Sequence, residues 1–220
     1  MAEEEVSYSD FLNSDIVWFQ TAGSSRKFSI HAGLLVSRCK AIHAAFLGDF
    51  KENKDGVYTV QDTTDKTVIR FIEWAYTKDY SNIVEFSDVA SIPKVGDEKC
   101  DTPSLLSHAR VCIFAHVYAI QRLESLAYDK LTAIIALKKP KSQDARRTII
   151  HVLDTVFSRL PENDRLLDWL CQYAAWRIED LKLEPESCDV LPKIAASMLW
   201  YMLPATNEPQ KISMVKKMED

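Results

Sequence analysis

The feature that most constrains this chain is how little of it can be strand. Only three short stretches alternate with a two-residue period: DIVWF (Asp15–Phe19), RKFSI (Arg26–Ile30) and GVYTVQD (Gly56–Asp62). All three lie in the first third of the 220 residues, and from Leu105 onward the apolar spacing is helical. A sheet of three short strands cannot bury both its faces alone, so apolar helices must cover it. The sequence therefore predicts an α+β front and an all-α rear.

Local signals fill in the order. TAGSS between the first two strands reads as a hairpin connection, with Phe28 and Ile30 on one strand face. In AGLLVSRCKAIHAAFLGDF the apolar residues Leu34, Leu35, Ile42, Ala45 and Phe46 have helical spacing that breaks over Ser37–Lys40. Two short helices are expected there, the second stopping at Gly48. TTDKTVIRFIEWAYT places Val68, Phe71, Ile72, Ala75 and Tyr76 on one stripe behind a Thr or Asp cap. Residues 81–103 lose periodicity and hold Pro93, Gly96 and Pro103, the pattern of a long loop.

LLSHARVCIFAHVYAI is apolar on nearly every side, which predicts a buried helix, and LESLAYDKLTAIIAL follows with Leu123, Leu126, Ala127, Leu131 and Ile134 in register. KKPKS (Lys138–Ser142) is the expected subdomain boundary. Three amphipathic stripes follow: Ile149 to Leu160, Leu166 to Leu181, and Leu191 to Met202, punctuated by Pro161 and Pro185. The expected organisation is an acidic tail over 1–13, a mixed domain over 14–137, a helical extension over 142–204 and a polar tail over 205–220.

A net charge of -5 and a pI near 5.6 give no electrostatic footprint for nucleic acid or an anionic membrane surface. No apolar run approaches a membrane span. Cys39, Cys100, Cys112, Cys171 and Cys188 are odd in number, and none form a Cys-x-x-Cys pair. MAEEEVSYSD lacks the layout of a signal peptide. Reduced thiols in an intracellular, cytoplasmic or nuclear, protein are the expectation.

Several residues invite chemistry. His31, Cys39 and His43 fall close together, but the helix break between Ser37 and Lys40 separates them into joint rather than site. His108, Cys112 and His116 stand at i, i+4 and i+8 on one helix. The outer two are about 12 Å apart along the axis, too far for one ion, and their surroundings are apolar; a core face is expected and no metal or cofactor. No nucleophile elbow, phosphate loop or dinucleotide fingerprint is present, so an enzyme, with a cysteine nucleophile as the remote alternative, is not the expectation. Trp169 and Trp176 lie two turns apart on one helix, with core packing as the default and a partner groove as the alternative. Lys138, Lys139, Lys141, Arg146 and Arg147 read as a solvated linker rather than a nucleic-acid patch.

The strings SDIVWF, FSIHAGLLVSRCKAIHAAFLGDFKEN, VYTVQDTTDKTVIRFIEWAYTKDY and HARVCIFAHVYAIQRLESLAYDKL resemble, in order and spacing, the BTB/POZ domain family across about residues 14–137. The long loop and helical tail resemble those of stand-alone fungal members. The resemblance implies a three-stranded sheet flanked by helices and protein–protein interaction: homodimerisation, an adaptor role linking a target to a cullin-type ubiquitin ligase, or corepressor recruitment in transcription. It implies no small-molecule substrate. Phe50-Lys51-Glu52 matches the hydrophobic-x-glutamate motif of adaptor members. His31 occupies the family's strand-to-helix histidine, which implies a structural hydrogen bond. Dimeric transcriptional members pair an Asp in the first strand with an Arg directly after that His. Asp15 is present here, but Ala32 stands at the Arg position, and few residues precede Asp15 for a swapped strand and helix.

Overall fold

The computed structural model describes residues 8–47, 50–82, 103–137 and 140–202. Residues 1–7 of the expected acidic tail, Gly48, most of the expected loop (83–102), Lys138 and Lys139, and the end of the chain from 203 lie outside the described residues. The chain divides into two compact units, Met1–Ala133 and Ile134–Asp220.

The first unit is mixed. Helix α1 (Tyr8–Leu12) precedes strand β1 (Ile16–Thr21) and strand β2 (Phe28–His31). Helices α2 (Ala32–Arg38), α3 (Lys40–Ala45) and α4 (Lys51–Asp55) follow, then strand β3 (Val57–Val60) and helix α5 (Asp65–Thr77). Helix α6 (Pro103–Val117) and helix α7 (Gln121–Leu137) complete this part, and the unit division falls inside α7. The sheet order is β2-β1-β3, with β1 antiparallel to β2 and parallel to β3. A parallel partner requires a crossover, and α2 to α4 supply it.

This is the α+β architecture, a small sheet flanked by helices, that the sequence predicts. Alternation along β1 turns Val17, Phe19 and Thr21 inward. Phe19 meets Phe71 of α5 at 5.6 Å between ring centres, and Phe71 meets Phe114 of α6 at 5.1 Å. Thr64 caps α5 by accepting from the Thr67 N–H, and Lys78 ends it in the left-handed region with φ 64°. Gly33 serves a close approach: a Cβ there would meet Phe11 Cα of α1 at 3.0 Å. The Gly33 N–H also donates to Ser14 Oγ at 2.9 Å.

Two details of the first unit depart from the sequence reading. Helix α4 was not expected, since KENKD carries no apolar stripe; it buries nothing and is closed by Gly56 at φ 62°. The inward face of α5 is Thr67, Val68, Arg70, Phe71, Trp74 and Ala75. Ile72 is half-buried and Tyr76 exposed, so the stripe is rotated toward Trp74 and includes a charge.

The second unit is helical: α8 (Gln143–Phe157), α9 (Arg165–Trp176), α10 (Ile178–Leu181) and α11 (Ser187–Met202). Ser142 caps α8 and Asp164 caps α9, each accepting a main-chain N–H. Ile149, Val152, Leu153 and Val156 pack with Leu166, Leu170, Tyr173 and Ile194 as buried side chains. Arg177 at φ -106°, ψ 17° breaks the expected second stripe between α9 and α10. The third stripe is narrower than expected: Val190, Ile194 and Met198 are buried, while Leu199 is 63% exposed. Among the described residues no helix is long and apolar enough to cross a membrane.

Candidate interaction surfaces

The backbone first fixes the motif after α3. Phe50 is the N-cap of α4 with an extended ψ of 159°, and its ring is 60% exposed. Glu52 lies half-buried in the first turn, where a carboxylate is favoured by the helix dipole. An apolar ring standing in water beside a half-buried acid is the kind of feature that a partner buries.

Asp15 is exposed, and its carbonyl accepts from the Ala32 N–H at 2.8 Å. That bond carries the sheet register into the first turn of α2. With Ala at position 32, no guanidinium stands beside Asp15 from that position.

Trp169 is 2% exposed and stacks on Tyr173 at 5.6 Å with a 14° interplanar angle. It is a core residue of the second unit, so the partner-groove alternative does not fit its position. Trp176 is half-buried, meets Tyr173 edge-on, and carries Arg177 Cζ 3.8 Å above its ring. The basic cluster is locally answered: Arg146 Nε donates to Glu184 Oε1 at 2.8 Å and Arg147 Nε to Glu186 Oε1 at 3.1 Å.

His31 is the joint that the sequence implies. Its Nδ1 lies 2.6 Å from Tyr76 Oη, and its main-chain N–H also faces that hydroxyl at 3.2 Å. Tyr76 therefore ties β2 to α5 from an exposed position. Cys39 is buried at the junction of α2 and α3, where it is the N-cap of α3 and its carbonyl accepts from the His43 N–H at 3.0 Å.

Along α6, His108 and His116 turn to different partners. His108 is fully buried, with Nδ1 2.8 Å from Tyr80 Oη, while His116 Nδ1 faces Glu124 Oε1 at 3.2 Å. Cys112 is buried between them. Burial, helped by the nearby Arg70 and Lys130 charges, pushes the His108 imidazole down to about 4, so it is neutral at physiological pH. Burial pushes the Cys39 and Cys171 thiols up to about 11, which holds them protonated and poor as nucleophiles.

Sequence reasoning missed Arg70, the largest charged side chain in the interior of the first unit. Its Nε donates to Ser81 O at 3.1 Å, its Nη2 to Asn82 O at 3.0 Å and its Nη1 to Lys66 O at 3.3 Å. Lys130 Nζ reinforces the same segment, donating to Tyr80 O at 2.6 Å and pairing with Asp79 Oδ1 at 2.6 Å. The signal was an arginine inside an apolar stripe, flanked by Val68, Phe71 and Trp74.

No family model matches the chain. Over 185 residues it is 23% identical to the Rho-related BTB domain-containing protein 3 of Homo sapiens and, equally, to that of Mus musculus. The match covers 82% of this chain and 26% of each relative, so the chain spans about a quarter of the length of these curated relatives. The chain is thus distantly similar to BTB domain-containing proteins, and its sheet and helix order is consistent with a BTB-like fold.

Proposed function

We propose that the chain is a non-enzymatic protein-interaction module of BTB type that acts as an adaptor toward a cullin-type ubiquitin ligase scaffold, with Phe50 and Glu52 in the contact. The observation that carries this reading is the exposed Phe50 ring at the N-cap of α4, with Glu52 two residues on in its first turn. Burial of such a ring under a partner contributes about 2 kcal/mol or more. The test is retention of the full chain on an immobilised cullin N-terminal domain, comparing wild type with Phe50→Ala and Glu52→Ala. Retention by wild type and loss in both variants is the expected outcome; no retention of wild type overturns the adaptor reading.

A second reading, self-association without a ligase role, is favoured by other residues. Leu12 of α1, Ile16 of β1 and Val36 of α2 are 46%, 54% and 43% exposed, apolar surface on three elements of a small unit. Light scattering on the purified chain separates the readings, since Leu12→Glu with Ile16→Glu then converts a dimer to a monomer. Corepressor recruitment through a charged Asp–Arg pocket is the reading least supported here, because Ala32 stands where the arginine would be.

A further inference from the structure

The sheet of the first unit ends in a strand whose outer edge faces a groove. β2 lies at one end of the order β2-β1-β3, and no strand of the described residues pairs with its other side. The register shows which main-chain groups point there. The Ala32 N–H donates to Asp15 O, so in this antiparallel pair Ile30 with Val17 and Phe28 with Phe19 exchange bonds with β1. The N–H and C=O of Ser29 and His31 must then point away from β1. Two contacts agree: the His31 N–H meets Tyr76 Oη, and the Trp18 N–H, opposite Ser29, turns to Gly56 O at 2.9 Å.

Ser29 also lines a groove of about 570 Å³, with Trp18, Phe28, Ile69 and Ile72 forming its apolar walls and Lys27 at one side. Trp18 is 41% exposed, a large aromatic surface left toward water beside an open strand edge. An outward N–H and C=O on one residue, above an apolar trough, is the recognition surface of an added strand: main-chain bonds supply affinity and alternate side chains supply selectivity. A helix would offer neither group to Ser29, since its own backbone bonds are internal.

We propose that the β2 edge is a docking site for an extended peptide segment of another protein, which pairs with Ser29 and places an apolar side chain against Trp18 and Ile72. The Tyr76 hydroxyl already holds the His31 N–H, so pairing is short and centres on Ser29. The site stands apart from Phe50 and Glu52, and neither residue contributes to it.

The test uses the full chain and a phage-displayed library of random octapeptides. Enriched peptides are resynthesised with a fluorophore and titrated against wild type, Phe50→Ala and Ser29→Pro. A proline at an outward edge position leaves the ladder to β1 intact while removing the donor and blocking approach; thermal melting verifies that Ser29→Pro folds. The expected result is at least tenfold weaker binding to Ser29→Pro, unchanged binding to Phe50→Ala, and loss on N-methylation of one peptide residue, the one that donates to the Ser29 carbonyl. Enriched peptides that bind Ser29→Pro as well as wild type, full binding after N-methylation at every position in turn, or no enrichment overturn the proposal. So does slow hydrogen exchange of the Ser29 amide in the peptide-free chain, which would mean that the chain's own residues already cover the edge.

Discussion

Both units of this chain bury a charge, and they satisfy it differently. In the first unit the Arg70 guanidinium, 2% exposed, donates only to main-chain carbonyls of Lys66, Ser81 and Asn82. In the second, Glu184, 1% exposed, has a charged partner in Arg146, itself partly buried. Glu184 lies in the turn between α10 and α11, so its pair with Arg146 ties that turn to α8 through two charged side chains. Arg70 instead pins the segment after α5 onto the helix, and Lys130 holds the same segment through Tyr80 O and Asp79. Both units thus hold irregular backbone with polar bonds: the first through donors on main-chain carbonyls, the second through side-chain ion pairs, Arg146 with Glu184 and Arg147 with Glu186.

That contrast can be broken deliberately. The largest effect is expected from Trp169→Ala, where loss of the ring stacked on Tyr173 costs about 4 kcal/mol. Hydrogen exchange should then accelerate through α9 and α11 while β1 and α5 keep their protection. Arg70→Ala removes three donors from buried carbonyls and costs about 3 kcal/mol; faster exchange should appear at 79–82 and α5. Equal acceleration in both units by either variant would erase the distinction.

Acid sharpens it further. His108 binds its proton near pH 6.5 in the unfolded chain but only at about 4 in the folded one. As pH falls between these values the unfolded state takes up more protons, so stability is lost, by roughly 3 kcal/mol over the window. Guanidinium titrations at pH 7 and pH 4.5 should show this loss in wild type and a much smaller one in His108→Gln. The smallest effects concern caps: Thr64→Ala in the first unit and Ser142→Ala in the second should each lower stability by about 1 kcal/mol, because each removes the acceptor of one orphan N–H.

The strands, the break at Cys39 and the buried helix α6 were legible in the sequence because each rests on local periodicity. What was not legible depends on distant partners. Arg70 is buried because Ser81 and Asn82 fold back over it, contacts of 11 and 12 residues' separation that no local pattern states. Helix α4 carries no apolar stripe and is read only from its caps. Leu199 belonged to a regular stripe, yet α11 turns that side outward. Among the candidate contact residues Phe50 is exposed, whereas Trp169 and Trp176, alike in sequence, separate into a core ring and a half-buried one. The edge at Ser29 follows from register, which no single strand's sequence states.

The proposed contact through Phe50 and Glu52 is tested most directly by calorimetric titration of a cullin N-terminal domain into the full chain. Saturable one-to-one binding is expected, weakened at least tenfold in Phe50→Ala and unchanged in Ser29→Pro. Absence of heat with wild type, or equal affinity in Phe50→Ala, would contradict it.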